Sequence, residues 1–134
     1  MREIILFITL FFSAVAIAQQ KNTTPIDSCA SVRESVLYKQ NAHASYYHDK
    51  FNGRKTASGR RFNNNDFTAA HKKFPFGTML KVTNEVNNKF VIVEITDRGP
   101  FVKGREIDLS KRAFMDIATN KKSGLVFVTI EILK

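Results

Sequence analysis

In the run Thr96-Asp97-Arg98-Gly99-Pro100-Phe101 a single carboxylate stands where an alternating apolar segment, Phe90 to Thr96, breaks into a turn. Gly accepts positive φ and Pro locks its own φ at about −65°, so Gly99 and Pro100 fix that corner. An acid on a rigid corner can give and take a proton; the same carboxylate can instead stabilise the turn by accepting backbone N–H groups. Thr68-Ala69-Ala70-His71 ends another short segment, and the most economical arrangement brings His71 and Asp97 together at one mouth of a small β-barrel. There the imidazole either tunes and orients the acid or simply packs as a partly buried barrel histidine.

The elements that must position these residues are short and punctuated by Gly, Asn and Pro. Residues 78–83 and 89–96 read as two strands joined at Asn84-Glu85-Val86-Asn87-Asn88, a hairpin by its turn-forming asparagines. A helix is expected from Ser110 as N-cap to about Ala118, with Ala113, Phe114 and Ile117 on one face. The chain ends in a strand whose Val126, Val128, Ile130 and Ile132 share a side. Ser45-Tyr46-Tyr47 reads as a strand, Asn52-Gly53-Arg54 as a turn, residues 55–59 as an exposed loop, and residues 31–38 as a short helical stretch. Many short strands with no βαβ rhythm imply a mainly β protein whose sheet closes, or nearly closes, into a barrel.

Arg2, an apolar run from Ile4 to Ile17 and the small-x-small end Ala16-Ile17-Ala18 form the pattern of a signal peptide over residues 1–18, too short to span a bilayer comfortably. Residues 19–42 are expected to be a linker or leader and residues 43–134 one domain. Cys29 is the sole cysteine, so no intrachain disulfide can form, and Ile26-Asp27-Ser28 before it lacks the pattern of a lipidated cysteine. The expected product is exported to the periplasm or cell surface, without a lipid and without a membrane span. A formal net charge of +9 favours a polyanionic partner, either nucleic acid or an anionic cell-wall polymer, and the export signal favours the wall.

Taken in order, residues 44–47 (ASYY), 53–59 (GRKTASG), 68–71 (TAAH), 76–78 (FGT), 81–84 (KVTN), 96–101 (TDRGPF) and 107–110 (IDLS) resemble the rare lipoprotein A family, with register kept from Ala44 to Leu133. The resemblance implies a six-stranded double-psi β-barrel with one or two short helices, related to expansins. It also implies lytic transglycosylase activity on peptidoglycan. In that reaction the glycosidic oxygen between N-acetylmuramic acid and N-acetylglucosamine is protonated, and the muramyl C6 hydroxyl closes an anhydro ring in place of water. One carboxyl can serve both proton transfers, so the two-carboxylate apparatus of glycoside hydrolysis is dispensable. With that resemblance Asp97 is the candidate acid and His71 its partner, and Tyr46, Thr56, Arg60, Asn63 and Arg98 are the candidate glycan-binding residues. This chain departs from the pattern at Arg60 and Asn63, where the family commonly carries acidic residues. A non-catalytic, expansin-like wall-binding module is the alternative.

Other chemistries lack their motifs. There is no His-Glu-x-x-His, paired Cys-x-x-Cys, Gly-x-Ser-x-Gly or phosphate-binding glycine loop, nor any helix-turn-helix or aromatic RNA-binding signature. His43 and His48 are oddly spaced across the first strand and fall on opposite faces, which argues against a metal pair. No cofactor, metal or nucleic acid is expected; the expected partner is the peptidoglycan glycan strand, bound by a monomer. Tyr46, Tyr47 and Phe101 are candidates for stacking on sugar rings, with at least one of them expected in the core.

Overall fold

The computed structural model describes residues 33–134; the expected signal peptide, most of the leader and Cys29 lie outside them. Six strands and one α-helix follow in the order β1 (Ser35–Tyr46), β2 (Thr68–Ala70), β3 (Met79–Asn84), β4 (Phe90–Asp97), β5 (Ile107–Leu109), α1 (Lys111–Ile117) and β6 (Val126–Leu133), with a single 3₁₀ turn at Asp49–Phe51. The strands close into a barrel in the order β1-β5-β2-β4-β3-β6. The β1–β5 and β2–β4 pairs are parallel and the other four antiparallel. This is the mainly β, six-stranded double-psi architecture that the motif series implies.

Period-2 alternation builds the barrel wall. Along β4 the side chains of Val91, Val93 and Ile95 turn inward while Phe90 and Ile92 face out, and along β6 Val128 and Ile130 turn inward. Leu80 and Val82 of β3 complete the interior, which α1 joins through Ala113, Phe114 and Ile117. The helix starts where expected, because the Ser110 hydroxyl accepts the Ala113 N–H at 3.2 Å, an N-cap. Buried Asn84 ends β3 and ties two elements together. Its amide donates to the Ile117 carbonyl at 2.7 Å and its oxygen accepts the Val86 N–H at 2.9 Å.

The helical stretch expected over residues 31–38 is corrected. From Ser35 the chain is already strand β1, so the barrel's first strand begins well before residue 43. The outer half of β1 is exposed apart from Tyr38, which packs against the core, and is held by its ladder with β6, which is broken by irregularities between Leu37 and Lys39 and between Lys39 and Ala42. Asn41 adopts a left-handed φ of 52° within this irregular stretch. Bulges cancel the alternation that would have marked a strand.

Candidate active site

Asp97 is the last residue of β4, and the corner after it has Gly99 at φ 122° and a cis Gly99–Pro100 peptide. Both carboxylate oxygens are engaged. Oδ2 accepts the Tyr47 hydroxyl at 2.8 Å, while Oδ1 accepts the Ala57 N–H at 2.9 Å and the Arg98 N–H at 2.8 Å. Burial, then the hydrogen bond and charge of Asp97, push the Tyr47 phenol far above its ordinary range, so it stays a neutral donor.

Two cavities meet at this pair. One, of about 450 Å³, runs beneath Tyr46, His48 and the 98–102 corner to Arg105 and Asp108; the other, of about 240 Å³, lies under the loop carrying Arg54, Lys55 and Thr56. Tyr47, Phe51 and Asp97 line both. A chain of sugars laid along the two cavities would therefore cross Asp97, the position an acid needs to reach a bond between two residues of a polymer.

His71 adjoins Asp97 through the backbone only, its N–H donating to the Asp97 carbonyl at 3.3 Å. The imidazole is buried and turns to other partners. Nδ1 accepts the backbone N–H of Lys73 at 3.1 Å and of Phe74 at 3.4 Å, which leaves the proton on Nε2, 3.0 Å from Glu106 Oε1. Burial lowers the His71 pKa despite the opposing pull of Glu106, so the ring is neutral. Burial alone would raise the Glu106 pKa, but hydrogen bonds from Lys39 and His71 outweigh it and hold it below the ordinary value. The expected contact of the His71 ring with Asp97 is thus corrected: the side chain bonded to the acid is Tyr47.

The expected glycan-binding residues divide. Tyr46 and Arg98 line the larger cavity and Thr56 the smaller. Tyr46 also packs on Phe114 at 4.7 Å, and the Thr56 hydroxyl donates to the Arg60 carbonyl at 2.7 Å, shaping its own loop. Arg60 and Asn63 border neither cavity. They line a separate small depression with Asp66, and Arg60 Nη1 pairs with Glu94 at 2.9 Å. Sequence reasoning missed Glu106 and the Ala57 N–H, and gave Tyr47 only a stacking role.

Comparison with known proteins identifies the family and the fold. Residues 39–130 match the family model described as lytic transglycolase. The chain is 50% identical over 102 residues to the endolytic peptidoglycan transglycosylase RlpA of Pasteurella multocida, covering 76% of this chain and 34% of that one. It is 51% identical over 84 residues to a probable endolytic peptidoglycan transglycosylase RlpA of Aquifex aeolicus, covering 63% and 34%. The chain thus spans about a third of the length of these curated relatives. Among solved structures, the apo expansin of Clavibacter michiganensis superposes with a TM-score of 0.56 at 17% identity, covering 75% of this chain and 51% of that one. A Streptomyces papain inhibitor superposes with a TM-score of 0.55 at 21% identity, covering 75% and 96%. At these identities the two structures speak for the fold alone.

Proposed function

The chain belongs to the lytic transglycolase family, and from that premise we propose that it is an exported endolytic peptidoglycan transglycosylase that acts as a monomer on glycan strands. The observation that carries the reading is one carboxyl, Asp97, held by three donors where two cavities meet. Asp97 protonates the glycosidic oxygen as its bond to muramyl C1 breaks. The C6 hydroxyl of the same sugar bonds to C1, and its proton passes to the ionised Asp97. The acid is restored, and the products are a free N-acetylglucosamine 4-hydroxyl and a 1,6-anhydromuramyl end. Tyr47, Ala57 and Arg98 donate to the carboxylate in the interval when it is ionised. The His71 ring supports the wall beside the acid.

Export rests on the N-terminal sequence pattern. The test is incubation of the chain from residue 19 with purified peptide-free glycan strands and mass analysis of the products. Anhydromuramyl ends are expected, and their absence at every pH tried would rule out the enzyme. A second reading, a non-catalytic expansin-like wall-binding module, is favoured by Arg60, whose guanidinium is engaged with Glu94 where the resemblance calls for an acid. That reading predicts retention on insoluble peptidoglycan with no anhydromuramyl product.

A further inference from the structure

We propose that Arg98 is a carboxylate-recognition site at the edge of the Asp97 cavity, presenting the Nε–Nη2 edge of its guanidinium to an acid group on the substrate. Arg98 borders the larger cavity, and among the described residues it joins no ion pair. Its guanidinium is nonetheless fixed. Nη1 donates to the carbonyls of Phe74 at 2.9 Å and His71 at 3.3 Å, and the group lies over the Phe76 ring at 4.0 Å. All its side-chain hydrogen bonds run through Nη1. Among the described residues Nε and Nη2 have no hydrogen-bond partner, yet neither is a buried orphan, so both reach solvent. The edge left over is the two-pronged fork that matches a carboxylate.

The fork is also pre-organised, which explains the buried histidine. His71 Nδ1 gathers the N–H groups of Lys73 and Phe74, and its Nε2 is anchored on Glu106, itself held by Lys39 at 2.6 Å. This set fixes the turn that supplies both carbonyls gripping Arg98. The other cation bordering the same cavity, Arg105, is already paired with Asp108 at 2.9 Å. Arg98 is the guanidinium there that remains available.

The inference rests on the peptidoglycan reading for the identity of the polymer. A carboxylate is what separates that polymer from chitin or cellulose. It can come from the lactyl ether of a peptide-free muramyl residue or from an acid group of a stem peptide.

Binding is measured with the Asp97→Asn chain, so that cutting does not consume the probe, using labelled soluble strands of four kinds: peptide-free and peptide-bearing, each native and with its carboxylates converted to amides. The amidated strands should bind on the order of tenfold more weakly than the native ones. Arg98→Gln should erase that difference, and Arg98→Lys, which keeps charge but loses the fork, should restore only part of it. Lys121→Gln makes the same change of charge on an exposed loop and should leave the ratio intact. Discrimination on peptide-free strands assigns the lactyl acid; discrimination only on peptide-bearing strands assigns the stem peptide. Equal binding of native and amidated strands in both the peptide-free and the peptide-bearing pair, or a ratio unchanged by Arg98→Gln in a variant that melts like its parent, would overturn the proposal. Those results would leave cleavage by the unmutated chain standing, while carboxylate-dependent binding with no anhydromuramyl product would sink the enzyme and keep the site.

Discussion

Asp97 and Tyr47 stand 50 positions apart in the chain and 2.8 Å apart in the barrel, and the acid's environment is made largely by that meeting. Asp97→Asn retains the shape and an acceptor oxygen but no longer supplies an acid. Turnover should fall by at least about 10²–10⁴-fold with little loss of glycan binding, read as anhydromuramyl yield against sedimentation with peptidoglycan. Tyr47→Phe keeps the ring against Phe62 and Phe51 and deletes only the donor. Because that donor serves the ionised acid, kcat should drop roughly 10- to 100-fold while KM stays within about twofold; a fall confined to KM would make Tyr47 a sugar contact instead. His71 answers to pH through stability. Its pKa is lowered in the fold, so its neutral form's contribution is complete above the unfolded value of about 6.5 and is lost as pH falls through the lowered folded value. Tm should decline over that range in the unmutated chain, and His71→Gln should remove that step, leaving the loss from Glu106 at more acidic pH. The corner at Asp97 was legible because Gly99 and Pro100 announce a turn at the end of an alternating strand. Tyr47 and Glu106 were not, because barrel closure alone brings them to their partners.

At the scale of elements, local signals succeeded where a segment makes its own case. The β3–β4 hairpin, the capped helix and β6 carry alternation or an N-cap within their own residues, and each lies within a residue or two of its expected position. Strands β2 and β5 have only three residues each, too few to show a period, and all six are buried. They exist because the strands beside them offer unpaired backbone groups. β1 was misread because its exposed half and its bulges leave no periodic face. Asn84 shows how one residue can serve two elements: it caps the end of α1 and shapes the hairpin after β3. Asn84→Ala leaves the buried Ile117 carbonyl with only the Asn87 amide, 3.0 Å away. It should cost about 1–3 kcal/mol in urea unfolding, with the far-ultraviolet dichroism of the folded state preserved. A loss well below that range would mean that Asn87 substitutes fully.

At the scale of the whole molecule, the formal charge of +9 and the geometry of the cavities act over different distances, and salt separates them. Long-range attraction between a basic protein and an anionic wall is largely screened once the Debye length shrinks to about 10 Å near 0.1 M salt. Hydrogen bonds, ring contacts and close charge pairs inside a cavity are screened far less. Retention on insoluble peptidoglycan should therefore fall as salt rises from about 0.02 M to about 0.2 M, then level at a residual value set by the Asp97 and Arg98 surroundings. Chitin, which has the same backbone without the acid groups, should show little salt dependence at the low end and a lower plateau. The plateau is the informative quantity. If retention on peptidoglycan runs to zero with salt and the two polymers become indistinguishable, charge alone brings the protein to the wall and the cavities add no affinity for the strand. If the plateau persists and drops in Arg98→Gln but not in Lys121→Gln, net charge supplies the approach and the fixed guanidinium supplies the choice of polymer.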